Sequence, residues 1–257
     1  MISTTTTIVA RRSDVGPPDA RRQRLHPRRQ GLVCGLLEFV ASMSDFEKRI
    51  RIHLRDLGKP LVDAWSREFA GIPSVQVSCG DIFSTKTGQV AVDDPIDVDA
   101  DAIVSPANSF GFMDGGIDAV YTYQFGDGLQ QRLQAVIERD FAGELPVGAA
   151  VVVPTMRTDI PWCISAPTMR VPQNVADTVN AYLAFRAALL AVITHNASGL
   201  SPIKTVLCPG LGTVIGQMPV GRCARQMRIA WDRVLGDKRW VPRSVRAAAD
   251  DERDLLR

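Results

Sequence analysis

The chain has 257 residues, 46% of them hydrophobic and 23% charged, and its net charge is only +2. That length suits one sizeable domain or two small ones, and the near-neutral balance gives no bulk attraction to nucleic acid. No apolar run reaches the ~18–20 residues of a bilayer span. The five cysteines (Cys34, Cys79, Cys163, Cys208, Cys223) and three histidines (His26, His53, His195) neither form a CxxC pair nor cluster, so no disulfide scaffold, metal site or cofactor is expected. Free thiols suit a reducing compartment, and a cytoplasmic location is the expectation.

Residues 1–42 differ from the rest. "TTTTIVARRSDVGPPDARRQRLHPRRQ" is Arg-rich, contains Pro and has almost no large apolar side chains. Such a segment cannot bury enough surface to offset its ordering entropy, so it reads as a disordered leader or a mis-assigned start. A targeting peptide or a basic nucleic-acid arm is the alternative. "MSDFEKRI" looks like a start in its own right, with Ser44 as N-cap and Glu47 completing a capping box. An N-terminal helical segment is expected over 43–73, from Phe46, Ile50, Leu54, Leu57, Leu61, Trp65 and Phe69 at three- and four-residue steps. Gly58-Lys59-Pro60 should break it into two helices.

The main domain is expected over 74–236. "SVQVSCGDI" (74–82) alternates like a strand, and "DAIVSPAN" (101–108) contains the next. "DGLQQRLQAVIERDF" (127–141) has a helical apolar face. "GAAVVVPT" (148–155) reads as a buried strand and "WCISAPT" (162–168) as a shorter one. "VADTVNAYLAFRAALLAVITHN" (175–196) is a long helix, "KTVLCPGLGT" (204–213) a strand entering a glycine loop, and "PVGRCARQMRIAWDRVL" (219–235) the last core helix. The charged tail, 237–257, should be a peripheral helix. Alternating strands and helices, with strands apolar throughout, indicate an α/β sheet covered on both faces. Ligands of such sheets sit at the carboxyl edge of the strands. Attention therefore falls on the loops after Val104 and Cys208.

The first loop, "NSFGFMDGGID" (108–118), places Gly115-Gly116 before a helix-like stretch. Glycines permit close backbone approach, and helix N-termini favour anions. A Gly-Gly pair alone is as often a plain turn. The second loop, "CPGLGTVIGQMP" (208–219), also joins a strand to a helix. It has neither the Gly-Lys-Ser/Thr of a Walker loop nor a clean GxGxxG, so the Rossmann fingerprint is not provided. Two such loops from one sheet suggest backbone clamps around a diphosphate.

Taken together, "GDI" (80–82), "DAIVSPAN" (101–108), "GGID" (115–118) and "PGLGTVIG" (209–216) resemble the macro domain family in order and spacing. The resemblance covers about residues 75–235. It implies a three-layer α/β/α fold with a central mixed sheet, and ADP-ribose as ligand, free or carried on an ADP-ribosylated protein or nucleic acid. Some members cleave ADP-ribose from proteins or nucleic acids, some deacetylate O-acetyl-ADP-ribose, and some only bind. The resemblance implies that Asp81 accepts from the adenine amino group, with Ile82 beside it, and that Asn108 bonds the distal ribose. It implies Gly115, Gly116 and Ile117 as the first phosphate loop. Gly210, Gly212, Thr213, Val214, Ile215 and Gly216 would form the second. Asp118 falls ten residues after Asn108, the spacing of the hydrolytic branch's catalytic aspartate. Ser105-Pro106 replaces the usual Asn-Ala, Val214 stands where glycine is frequent, and "APTMR" (166–170) replaces a His-containing strand end. These departures suggest a divergent bacterial or phage-type branch.

Each residue also has a plainer reading. Asp118 could be a first-turn carboxylate that favours the helix dipole. Asn108 could cap the strand through an Asx turn, Asp114 could shape the turn, and Asp81 could be an ordinary strand-end residue. Phe110, Phe112, Tyr121, Tyr123 and Phe125 gather near the first loop as stacking candidates or core anchors. Cys208 is expected to be inert. The functional expectation is an ADP-ribosyl hydrolase, with a non-catalytic ADP-ribose reader as the alternative.

Overall fold

The computed structural model describes residues 50–84 and 96–257. Six strands form one sheet: β1 (Arg51–Asp56), β2 (Val75–Cys79), β3 (Ala102–Ser105), β4 (Val151–Pro154), β5 (Trp162–Ser165) and β6 (Thr205–Cys208). Among the described residues six helices accompany them: α1 (Lys59–Glu68), α2 (Gly116–Phe125), α3 (Gly128–Phe141), α4 (Asn180–Ala197), α5 (Val220–Val234) and α6 (Val245–Leu255). The strand order is β2-β1-β6-β3-β5-β4. Every neighbouring pair is parallel except β4 with β5, so the sheet is mixed through one antiparallel edge. Pro154 ends that edge strand, where a missing N–H removes no ladder bond.

Strict alternation along the strands divides the core into two layers. Ile52, Leu54, Ala102, Val104, Ile164, Val206 and Cys208 face one side, where α1, α4 and α5 contribute Trp65, Phe185, Leu189 and Met227. Ile103, Cys163 and Leu207 face the other, against Tyr121 of α2 and Leu129, Leu133 and Ile137 of α3. Each large side chain so buried contributes about 1.5–3 kcal/mol. This is the three-layer α/β/α arrangement. Helix α4 is rich in small residues on its buried side (Ala181, Ala184, Ala188), which lets it lie close along α5.

Residues 50–58 overturn the helix expected there. Arg51–Asp56 is a strand between β2 and β6, whereas the helix expected after Gly58-Lys59-Pro60 forms as α1, so 50–73 supplies one sheet strand and one helix and is not a separate helical segment. The pattern misleads because this central strand is buried on both faces, including His53 and Arg55. Arg55 donates from Nε to the Asp81 carbonyl (2.5 Å), from Nη1 to Ser78 Oγ (2.6 Å) and from Nη2 to the Ser84 carbonyl (2.8 Å). His53 Nε2 lies 2.7 Å from Ser78 Oγ. Burial and the Arg55 charge hold its pKa below the ordinary imidazole value. The three- and four-residue spacing of Ile50, Leu54 and Leu57 is thus compatible with a strand whose polar residues find partners inside the protein. Gly58-Lys59-Pro60 is the strand-to-helix turn, with Pro60 in the first turn of α1, where its missing N–H is harmless.

The other expected elements form close to their predicted bounds. "GAAVVVPT" is only partly buried, as an edge strand should be. The tail forms α6, held by Leu255 in the core, by an Arg233–Asp251 ion pair and by Gln226 Nε2 donating to the Leu255 carbonyl (3.0 Å). The leader over 1–42 and the capping box at Ser44 and Glu47 lie outside the described residues.

Candidate functional site

Strands β3 and β6 are parallel neighbours, so the loops that follow them leave the same edge of the sheet. A cleft lies between those loops. Its walls include Asn108, Gly115, Gly116, Ile117 and Asp118 from the first, and Gly210, Gly212, Thr213, Val214, Ile215 and Gly216 from the second. Pro106, Ala107, Phe112, Asp114, Thr168, Met169 and Pro172 complete the lining. None of these residues is a Lys, Arg or His. Any anion held here would therefore be met by backbone N–H groups and by the N-terminus of α2.

The first loop is a polar construction. Asn108 Oδ1 accepts from the N–H groups of Phe110 (3.1 Å) and Phe112 (3.3 Å), while its Nδ2 donates to the Phe112 carbonyl (2.8 Å). The Asn108 amide therefore ties the 108–112 turn, although the residue also lines the cleft. Gly111, with φ +68°, packs where a side chain would strike Ile137 and Leu133. Gln130 Oε1 accepts from Met113 N (2.7 Å), and Thr122 Oγ1 donates to the Met113 carbonyl (2.7 Å), fixing the loop on α2 and α3.

Asp118 sits in the first turn of α2 and is 6% exposed, yet it borders the cleft. Ser105 Oγ donates to its Oδ1 at 2.5 Å. Burial pushes the Asp118 pKa up to about 7, against the opposing pull of the Ser105 hydrogen bond. A carboxyl group that exchanges its proton near neutrality is matched to general acid–base work.

The second loop is held by packing. A methyl built on Gly216 would lie 2.6 Å from the Gly212 carbonyl oxygen and 2.6 Å from a Val175 methyl. Gly216 O accepts from Val175 N (2.8 Å), and Gly212 O accepts from Met218 N (2.9 Å). Asp56, at the end of β1, accepts from Gly58 N (2.7 Å) and Gly210 N (3.2 Å). Val214 and Ile215 are exposed at the rim, as is Phe112 across the cleft.

The structure does not bring every expected residue here. Ile82 is in the core with Phe83 and Tyr121, and neither it nor Asp81 is among the lining residues. Asp81 instead makes an Asx turn, its Oδ1 accepting from Phe83 N (2.9 Å), and its carbonyl receives Arg55. Of the aromatics, Phe112 borders the cleft, Phe110 lies under Arg170 with 4.9 Å from guanidinium to ring centre, and Tyr121 and Phe125 pack on Phe83. Burial pushes the Cys208 thiol well up and that of Cys223 up to about 12, so neither offers a thiolate. Among the described residues no group of three His, Cys, Asp or Glu could hold a metal ion. No helix among them is long and apolar enough to cross a membrane.

Sequence reasoning missed Thr168 and Asp56. Thr168 Oγ1 donates to the Pro106 carbonyl (3.0 Å), and the Thr168 carbonyl accepts from Asn180 Nδ2 (2.7 Å), joining the end of β5 to β3 and α4. Knowing that β5 lies beside β3 would have pointed to Thr168, but strand order is not written in a local pattern.

The macro domain model matches residues 104–227. An uncharacterised protein of Aquifex aeolicus is 34% identical over 131 residues, 51% of this chain and 72% of that one. The chain belongs to the macro domain family. An uncharacterised protein of Aeropyrum pernix is 31% identical over 143 residues, 55% of this macro domain chain and 68% of its own. Among solved structures, the macrodomain of Mycobacterium tuberculosis DarG is 21% identical with a TM-score of 0.45, covering 62% of this chain and 90% of that one. The Oceanobacillus iheyensis macrodomain with ADP is 17% identical with a TM-score of 0.46, covering 62% and 85%.

Proposed function

We propose that the cleft binds ADP-ribose and hydrolyses an ADP-ribosyl linkage, on a mono-ADP-ribosylated acceptor or in O-acetyl-ADP-ribose. Macro domain membership supports the ligand. The observation that carries the catalytic reading is Asp118, a buried carboxyl bordering the cleft between the two glycine loops and poised near neutrality. The diphosphate would lie between Gly115-Gly116 and the 210–216 loop, bonded by backbone N–H groups at the head of α2. The distal ribose would then reach toward Asp118.

In its ionised form Asp118 takes a proton from water as the water oxygen bonds to the anomeric carbon. The bond from that carbon to the leaving group breaks with its electron pair on the leaving group, which takes up a proton. In O-acetyl-ADP-ribose the same base instead directs water to the ester carbonyl carbon, the acyl C–O bond breaks with its electron pair on the ribose oxygen, which takes up a proton, and acetate leaves. Charge build-up of oxocarbenium type favours a carboxylate nearby. Replacing Asp118→Ala should lower turnover of an ADP-ribosylated protein by roughly 10²–10⁴-fold. Titration calorimetry should still register ADP-ribose, because the backbone clamps are untouched. Unchanged turnover would refute the catalytic assignment, and no ADP-ribose binding at millimolar concentration would refute the ligand.

A second reading, a non-catalytic ADP-ribose reader, is favoured by Asn108. Its amide is engaged in the 108–112 turn and must exchange those bonds before it can orient a ribose. Binding without turnover of either substrate class would select that reading.

A further inference from the structure

We infer that Ser105 is a positioning residue for Asp118: its hydroxyl fixes the carboxyl against the end of β3 and favours the ionised form. The catalytic consequence rests on the hydrolase reading above, whereas the coupling between the two side chains does not.

Ser105 is the last residue of β3 and is fully buried. Alternation along β3 turns Val104 to the α4 side and Ser105 to the α2 side, directly beneath the first turn of α2. The Oγ–Oδ1 separation of 2.5 Å is at the short end of the range for a hydroxyl bonded to a carboxylate. Among the described residues no cation shares this task. The titratable groups that face Asp118 are Tyr121 on its own helix and Cys163 on β5, and burial pushes both upward, so both are neutral. Tyr121 cannot replace Ser105, because its hydroxyl donates to the Val104 carbonyl (3.0 Å). Asp114 lines the same cleft and supplies no positive charge. Ser105 is thus the polar group that opposes the effect of burial on Asp118.

The sheet supplies a matched control. Ser165 on β5 is the register partner of Ser105, is equally buried, and its Oγ has no hydrogen-bond partner. Two serines side by side on one face of the sheet therefore differ in a single respect, the bond to Asp118.

The test is the pH dependence of kcat/KM for wild type, Ser105→Ala, Ser105→Thr and Ser165→Ala between pH 5 and 9. Asp118 acts as its conjugate base, so activity rises through its pKa. Loss of the Ser105 donor should move that rise up by about one to two pH units. Turnover near pH 6.5 would fall about tenfold or more and recover toward pH 9. Ser105→Thr, which keeps the hydroxyl, should restore the wild-type profile, and Ser165→Ala should leave it in place. A uniform loss at every pH, or an unmoved rise, would overturn the assignment. Ser105→Cys, which keeps the volume and weakens the donor, serves if the alanine variant does not fold. Carboxyl carbon-13 NMR titration of Asp118, assigned with Asp118→Asn, reads the same coupling without turnover. A midpoint raised in Ser105→Ala with no hydrolysis in any variant would uphold the coupling and reject the hydrolase. An unmoved midpoint would reject the coupling whatever the turnover.

Discussion

The two glycine loops leave neighbouring strands at one edge of the sheet, yet they are built differently. The 210–216 loop is closed by packing, with Gly216 wedged against the Gly212 carbonyl and Val175. The 108–118 loop is tied by side chains: Asn108, Gln130, Thr122 and Ser105. At Gly115 nothing among the described residues, apart from its two chain neighbours, lies within 4 Å of where a side chain would begin. A glycine in the second loop is therefore explained by the protein's own interior. Gly115 faces open space, the kind of surface a ligand can approach. The first loop also carries a buried ionisable group, and the second carries none. One wall of the cleft is thus shaped by packing, and the other by polar chemistry.

The largest expected effect probes the buried carboxyl. In an unfolded chain an aspartate ionises near pH 3.9, whereas Asp118 ionises at about 7. Between those values the native state holds a proton that the unfolded chain has released. Stability should therefore fall as pH rises from about 4 to about 7 and level off above. Asp118→Asn removes the ionisation and can still accept from Ser105. Its advantage over wild type should be small at pH 4.5 and on the order of 3 kcal/mol at pH 8. Denaturant unfolding at the two pH values measures it. An equal gap at both would show that Asp118 is not held uncharged by burial. A stabilised but inactive variant is the usual sign of a functional group kept against the interest of the fold.

The next effect probes the second loop. Gly216→Ala places a methyl against backbone, which cannot rotate away, so a destabilisation of about 1–3 kcal/mol is expected. The loss should be independent of pH, which separates it from the Asp118 effect. Unchanged stability would mean that the second loop yields easily and that the contrast between the loops is overstated.

The legible parts of this molecule are those with local signatures. Strand-to-glycine-loop transitions at Ser105 and Cys208, and the apolar faces of α3, α4 and α5, announced both the α/β architecture and the edge where the cleft forms. Gly115 and the 210–216 loop stand out as glycine loops at strand ends, while Asn108 and Asp118 stand out through the family spacing, and all of them line the cleft. What escaped depends on partners distant in the chain. Ile50, Leu54 and Leu57 give β1 the apolar spacing of a helix, and only β2 and the 81–84 segment reveal how the polar His53 and Arg55 are satisfied inside a strand. Asp56 and Thr168 hold the site through residues 154 and 62 positions away. Ile82, beside Asp81, is buried in the cluster that holds Phe83 and Tyr121, a property of the assembled core. The bond from Ser105 to Asp118 spans thirteen positions and crosses from strand to helix, so the serine read in sequence only as a departure from the family pattern.

The smallest effect on stability should come from Gly115→Ala, and it tests the contrast most directly. Gly115 has φ −142° and ψ 157°, an extended conformation that any residue adopts, and its surroundings are open. The substitution should leave stability within about 0.5 kcal/mol of wild type. Its methyl would nevertheless occupy the space through which a diphosphate must approach the N-terminus of α2. ADP-ribose affinity should fall about tenfold or more, a loss of about 1.4 kcal/mol on the binding side alone. Calorimetry with ADP-ribose and with AMP separates the causes. If the methyl obstructs the diphosphate, the loss is larger for ADP-ribose, which must thread both phosphates past residue 115. Equal losses for the two ligands would place the adenylate, and not the diphosphate, at the first loop. An unchanged affinity for both would mean that the open space above Gly115 is not the ligand's path, and the first loop would then be a turn with no role in the clamp.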